Sequence, residues 1–188
     1  KTLALKSLPG DSYSFILPSR TVQELLRTLP DGSEEVLIRE SESQVFFEFG
    51  GIYIVSRLVD GNYPDYAVII PKEFAASVSL GRDELIKKIK TAAVLASKLN
   101  DISFYFSNSE SFVEASNAEV GKSKIIFSSK IKGKEGRVSF NFRYLLDGLE
   151  SLSGDEVLIS LNGDSGPALI RDPNNSSFQY VVMPIRNV

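Results

Sequence analysis

Residues 138–161 read VSFNFRYLLDGLESLSGDEVLISL, and their pattern decides the fold class. A short alternating strand at 138–141 precedes apolar residues spaced three and four apart, as on one face of a helix, and a second apolar strand follows at 156–159. The same layout occurs at 15–38 and at 77–106, so the copies begin about 61 residues apart. A unit of this length is half a domain rather than a solenoid repeat.

Each predicted helix is followed by several strand-like segments, which turn sequences such as Gly50-Gly51 and Asn162-Gly163 separate. The unit is therefore strand–helix–strand–strand–strand. Two such units would form one domain with antiparallel sheets and both helices on one side, which is an α+β fold. Short polar residues near the three helix starts, Thr21, Asp83 and Asn141, are expected to accept hydrogen bonds from free backbone N–H groups.

The number of repeats predicts the domain organisation. Residues 72–188 hold two units and form a complete domain, and 67–71 are the linker. Residues 1–66 hold a single unit and are expected to form the second half of another domain. We therefore interpret the chain as a fragment of a longer protein.

The composition excludes several classes of enzyme. The 188 residues include no Cys and no His, so Ser-His-Asp triads, thiol nucleophiles and thiolate metal sites are excluded. A non-enzymatic binding or scaffolding protein without metal or cofactor is the favoured interpretation. A carboxylate–metal nuclease stays as an alternative, but it needs clustered acids, and the pairs Glu34-Glu35 and Asp155-Glu156 are better explained as solvated loops before strands. Apolar runs of five or six residues are too short to span a membrane.

Basic residues gather on the predicted helices although the net charge is -3. Lys87 and Lys90 fall away from the core stripe of the second helix. If the helices share one side of the sheets, their outer faces form a basic layer that suits non-specific contact with a polyanion. A merely solvated helix surface is the alternative interpretation. The apolar C-terminus, 181–188, is either a final core strand or an adaptable binding surface around Met183.

Three sequence motifs carry a resemblance to a known family. Residues 57–66, RLVDGNYPDY, residues 140–147, FNFRYLLD, and residues 180–186, YVVMPIR, are similar in order and spacing to motifs of bacterial sliding clamps, the beta subunit of DNA polymerase III. The resemblance covers the whole chain and begins within the middle one of the three clamp domains. An unrelated α+β ligand-binding domain with an internal repeat is the alternative.

The resemblance implies a DNA-clamp fold and a non-enzymatic processivity factor in the bacterial cytoplasm, associated with the nucleoid. In the full-length protein, two protomers would close into a homodimeric ring around duplex DNA, held without sequence specificity. The ring would tether the DNA polymerase III catalytic subunit, the clamp loader and other proteins that carry a short motif, roughly Gln-x-x-Leu-Phe. No membrane association is implied.

The resemblance also assigns residues by position. The partner peptide would contact Leu3, Pro64, Val68, Ile69, Asn141, Tyr144, Ser165, Pro167, Val181, Met183, Pro184, Ile185 and Arg186. Two positions depart from the family pattern, since Lys1 stands where many clamps have His and Val68 where some have Arg.

Two further sets of positions follow from the resemblance. Arg20 and Arg27 match positions that face the DNA, and repeat symmetry adds Arg82, Lys87 and Lys90. Val94 and Leu95 match positions at the interface between protomers.

Overall fold

The computed structural model describes residues 14–29 and 35–186. The chain divides into two compact units, of which the first ends at Asp65 and the second begins at Tyr66. Each unit is described by itself below.

The first unit packs one helix on a small antiparallel sheet. Its elements are α1 (Ser19–Thr28), β1 (Leu37–Glu40), β2 (Gln44–Phe49) and β3 (Ile52–Arg57), and the strand order is β1-β2-β3. Alternation along β2 turns Val45, Phe47 and Phe49 to the same side, where they form a buried cluster with Leu25 of α1. The apolar spacing of α1 and the period of two in β2 therefore build one common core.

The strand predicted at 15–18 is wrong. These residues are irregular, although the Ile16 carbonyl accepts a hydrogen bond from the Val59 N–H at 2.9 Å. In the second unit, the equivalent opening strands each pair with a strand from the other repeat. The described residues of the first unit contain one repeat only, so 15–18 have no such partner strand.

The second unit contains both complete repeats. Its elements are a single-turn 3₁₀ helix (Tyr66–Val68), β4 (Ala76–Gly81), α2 (Arg82–Ala93), β5 (Asp101–Phe106), β6 (Ser111–Asn117), β7 (Gly121–Phe127), β8 (Lys130–Gly133), β9 (Gly136–Asn141), α3 (Phe142–Glu150), β10 (Glu156–Leu161), β11 (Ala168–Asp172) and β12 (Asn175–Val182).

Crossed pairing of the opening strands joins the two repeats. The sheets have the orders β12-β11-β10-β4-β8 and β7-β6-β5-β9, and all pairs are antiparallel. Thus β4, which opens one repeat, pairs with β10 of the other, and β9 pairs with β5. Each sheet therefore contains strands from both repeats, and one repeat alone cannot form either sheet.

Strand β8 has no counterpart in the second repeat and was missed by the sequence analysis. It has four residues, and Ile131 is its one buried side chain, so it gives almost no periodic signal.

The core lies where the helices pack on the sheets. Leu85 and Ile89 of α2 and Leu149 of α3 are almost completely buried, and the two helices contact each other. Phe104 packs against Phe106 with ring centroids 5.4 Å apart and against Phe140 at 6.4 Å. The predicted α+β class with antiparallel sheets and repeated units is confirmed.

Only one of the three predicted helix caps forms. The Asn141 side chain accepts a hydrogen bond from the Arg143 N–H at 3.0 Å. Thr21 lies inside α1, and its hydroxyl bonds to the Ser56 hydroxyl at 2.7 Å instead. Asp83 lies in the first turn of α2 and binds the Arg82 guanidinium. Ser56 is 35 positions away from Thr21 in the sequence, and Arg82 is a charged neighbour of Asp83. A capping pattern gives no information about either partner.

Candidate functional site

The C-terminal segment, Val181–Arg186, crosses between the two sheets of the second unit. Val181 and Val182 end β12 opposite Leu169 and Ala168 of β11. Beyond the strand, the Ile185 N–H donates a hydrogen bond to the Ser139 carbonyl of β9 at 2.7 Å. Because β9 belongs to the other sheet, the segment is anchored at both ends and spans the gap between them.

The Ser139 anchor brings the segment close to the start of α3. Asn141, two residues after Ser139, caps this helix, and Tyr144 in its first turn has 57% of its surface exposed. Farther along, Gly148 of α3 faces the ring of Tyr180 in β12 so closely that a Cβ atom would lie 2.5 Å from Cδ1. Burial, followed by the nearby charges of Asp147 and Tyr144, raises the pKa of Tyr180.

The predicted peptide contacts that lie on this segment, at the start of α3 and in the loop before β11 are together called the segment groove. Its members are Asn141, Tyr144, Ser165, Pro167, Val181, Met183, Pro184, Ile185 and Arg186. Met183 is 54% exposed, while Pro184 and Ile185 are half-buried. The flexible thioether of an exposed Met side chain accepts apolar side chains of different shapes. The exposed Arg186 supplies a cation at the end of the groove.

The other predicted peptide contacts are distributed over both units. Val68 ends the 3₁₀ helix of the second unit and Ile69 follows it, and the two residues are 81% and 53% exposed. Pro64 is exposed in the first unit, and Leu3 lies outside the described residues. Their contribution to one peptide site stays a prediction.

Two positioning residues were missed by the sequence analysis. Ser139 acts through its backbone carbonyl, so its side chain gives no signal. Gly148 was detectable, because a glycine inside an otherwise regular helix pattern indicates a close packing contact. Here that contact is the ring of Tyr180.

The two predicted DNA-facing residues of α1 differ in whether an acidic side chain is paired with them. Arg20 is exposed and forms no ion pair with any residue in the described ranges. Both Nε and Nη2 of Arg27 bond to the carboxylate of Glu24, one turn earlier. This hydrogen bonding lowers the pKa of Glu24, so its negative charge persists beside Arg27.

The predicted basic residues of α2 differ in the same way. The Arg82 side chain is 20% exposed, and it binds Asp83 Oδ1 at 2.9 Å and the Leu152 carbonyl. Lys90 Nζ lies 2.8 Å from Glu150 Oε1 of α3. Lys87 is exposed and has no ion pair to a residue that the structure describes. Arg20 and Lys87 are therefore the cations most available to a phosphate.

The predicted interface residues follow α2 directly. Val94 is 79% exposed, whereas Leu95 is half-buried and donates its N–H to the Ala92 carbonyl at 3.1 Å. A role for this pair between protomers stays a prediction.

The described ranges contain no candidate metal site and no candidate membrane-spanning helix. Within 14–29 and 35–186, no three acidic side chains lie close enough together to hold a metal ion. No helix in these ranges is long and apolar enough to cross a membrane.

Comparison with known proteins decides the family. Residues 1–65 match the central domain of the DNA polymerase III beta subunit, and residues 67–186 match the C-terminal domain. The chain belongs to this family. The alternative of an unrelated α+β ligand-binding domain is thereby set aside.

Individual members of the beta-subunit family agree with this assignment. The chain is 34% identical to the beta sliding clamp of Bacillus subtilis over 95% of its own length and 49% of that relative. It is 30% identical to the beta sliding clamp of Synechococcus elongatus over 99% of its length and 51% of the relative. It therefore spans about half the length of these curated relatives.

Solved structures of the family share the fold. The Bacillus subtilis sliding clamp superposes with a TM-score of 0.86 at 31% identity, over 95% of this chain and 48% of that one. A Pseudomonas aeruginosa sliding clamp bound to griselimycin superposes with a TM-score of 0.84 at 29% identity, over 94% and 48%.

Proposed function

We propose that this chain is part of a non-enzymatic sliding clamp that holds replication and repair proteins on duplex DNA. In the complete protein, two copies close head-to-tail into a ring, and Val94 and Leu95 contribute to the joint. The ring works in the bacterial cytoplasm at the nucleoid. Its partners are the DNA polymerase III catalytic subunit, the clamp loader and other proteins with the clamp-binding motif.

The segment groove is the observation that carries the proposal for partner binding. Its strand end is fixed to β11 and its Ile185 amide to Ser139, so the backbone is ordered before a peptide arrives. Met183 and Tyr144 stay exposed on this fixed frame. Preorganisation of this kind reduces the entropy lost on binding.

The expected affinity follows from the two apolar anchors of the motif. Burial of a Leu and a Phe side chain contributes roughly 3–6 kcal/mol before the ordering costs are subtracted. Contacts of the peptide backbone and of its Gln side chain add to this. A dissociation constant in the micromolar range corresponds to about 8 kcal/mol, so these polar contacts must supply the difference and offset the ordering costs.

Met183→Ala is expected to weaken binding of a labelled Gln-Ala-Ala-Leu-Phe peptide about tenfold, because truncation removes about 1.4 kcal/mol of apolar contact. Leu3→Ala is expected to act in the same direction. Fluorescence polarisation measures both. Ile126→Ala is the matched control, since Ile126 is 53% exposed on β7 and lies outside the groove. Unchanged affinity in both Met183→Ala and Leu3→Ala would contradict the proposed site.

The DNA-facing surface gives a second prediction. Contacts to phosphates release counterions, so each lost contact should reduce the slope of log affinity against log salt by about 0.9. We expect Arg20→Gln and Lys87→Gln each to weaken binding of a short duplex at low salt. Arg82→Gln should do less to binding because Asp83 and Leu152 already hold its guanidinium.

The control for this prediction is Lys130→Gln, which removes the same charge from the edge strand β8. Fluorescence anisotropy at several salt concentrations measures all four variants. Equal losses for Lys130, Arg20 and Lys87 would show that only net charge matters and would overturn the DNA-facing assignment.

A further inference from the structure

A cleft of about 590 Å³ opens between the two sheets of the second unit. Four apolar residues form its floor, namely Ala76, Phe106, Val138 and Leu161, and all of them are buried core positions. Its mouth carries Lys134, Glu135, Asn162 and Asp164. A volume in this range, an apolar lining and a few polar groups at the opening are typical of sites for small ligands.

Hydrogen bonds to the backbone of Glu73 and Ala75 fix the rim of the cleft. The Ala75 N–H donates to Asn162 Oδ1 at 2.9 Å, and the Ala75 carbonyl accepts from the Lys134 N–H at 3.0 Å. The Asn162 side chain also donates to the Glu73 carbonyl at 2.9 Å. The loops that carry Lys134 and Asp164 are therefore held on opposite sides of Ala75, and the cleft is formed without a ligand.

Three charged side chains at the mouth have no ion-pair partner in the described ranges, namely Lys134, Glu135 and Asp164, and of these only Glu135 is held by hydrogen bonds. Glu135 accepts from the N–H and the side-chain amide of Asn108, at 2.8 and 3.1 Å. Arg137 is paired with Glu114. Lys134 and Asp164 have no side-chain partner among the residues that the structure describes, and both are exposed.

We propose that this cleft binds an apolar amino-acid side chain flanked by one anionic and one cationic group. The apolar group would cover the floor, the anion would meet Lys134 and the cation would meet Asp164. A free amino acid and a short peptide segment both provide this chemistry. The proposal goes beyond the clamp function, because none of the residues of the segment groove lines the cleft.

The test is a titration of the ¹⁵N-labelled 188-residue chain followed by ¹H–¹⁵N NMR. The probes are L-phenylalanine, the peptide Ac-Lys-Phe-Glu-NH₂ and the neutral peptide Ac-Gly-Phe-Gly-NH₂. We expect saturable shifts of the amides at 134–138 and 161–164 with at least one charged probe, and binding of the neutral peptide about five times weaker. Saturation by L-phenylalanine alone supports a free amino acid as the source, and saturation by the charged peptide alone supports a protein segment.

Charge variants complete the test. Lys134→Glu and Asp164→Lys should each weaken the charged probe three- to tenfold. The control, Lys132→Glu, reverses a charge on β8 that does not line the cleft. The amide spectrum of each variant also reports whether it is folded.

The proposal is overturned if neither charged probe saturates below 20 mM, if the neutral peptide binds equally well, or if Lys132→Glu has the same effect as Lys134→Glu. Binding of the Gln-Ala-Ala-Leu-Phe peptide should be the same in all of these variants, so this test is independent of the segment groove.

Discussion

Gly133→Ala is expected to lower the free energy of unfolding by about 3 kcal/mol or more, through backbone strain and steric overlap together. Gly133 ends β8 with a φ of 97°, where an L side chain is strained. A Cβ atom there would lie 2.2 Å from the Ala75 carbonyl oxygen and 3.0 Å from the Ala76 Cα. Both are backbone atoms, and the same carbonyl accepts the Lys134 N–H, so relief of the overlap requires the β4–β8 edge to separate.

Urea unfolding followed by circular dichroism measures this loss, and Gly121→Ala is the matched control. Gly121 has a φ of 132° at the start of β7, and an added Cβ there meets nothing within 4 Å. Its substitution should therefore cost only the conformational strain, about 1–2 kcal/mol. Equal losses at the two positions would mean that the contact with Ala75 is unimportant, and the interpretation of the edge would be wrong.

Much of the fold was predictable from local patterns, because those patterns repeat. The spacing of Leu85 and Ile89 and the alternation at 104–106 identify α2 and β5 with no knowledge of their neighbours. The crossed pairing of β4 with β10 and of β9 with β5 was not predictable, because it joins residues 75–85 and 30–40 positions apart. The failed strand at 15–18 has the same origin, since strand formation there depends on a partner strand and not on the local sequence.

The candidate site was predictable in its members and not in its geometry. The terminal motif pointed to Met183, and the FNFRYLLD segment pointed to Asn141 and Tyr144. The hydrogen bond from Ile185 to the Ser139 carbonyl, which sets these two segments side by side, gives no side-chain signal. The availability of each cation also depends on its neighbours, as Glu150 beside Lys90 shows.

Gly148→Ala is expected to destabilise the second unit by about 1–2 kcal/mol, because overpacking exceeds the gain in helix propensity. In an unconstrained helix this substitution would stabilise by about 1 kcal/mol. Here the new Cβ would lie 2.5 to 2.8 Å from three carbon atoms of the Tyr180 ring. The ring is attached to β12, so it must either turn into another rotamer or shift the strand that leads into the C-terminal segment.

The substitution should therefore also weaken binding of the Gln-Ala-Ala-Leu-Phe peptide, although Gly148 is buried and is not a groove residue. A double-mutant cycle with Tyr180→Ala isolates the contact. Removal of the ring leaves room for the Cβ atom, so in that background Gly148→Ala should be neutral or stabilising by up to about 1 kcal/mol. Urea unfolding of the two single variants and the double variant gives the coupling energy. If Gly148→Ala costs the same with and without the ring, then Tyr180 does not limit this position, and glycine is required here for another reason.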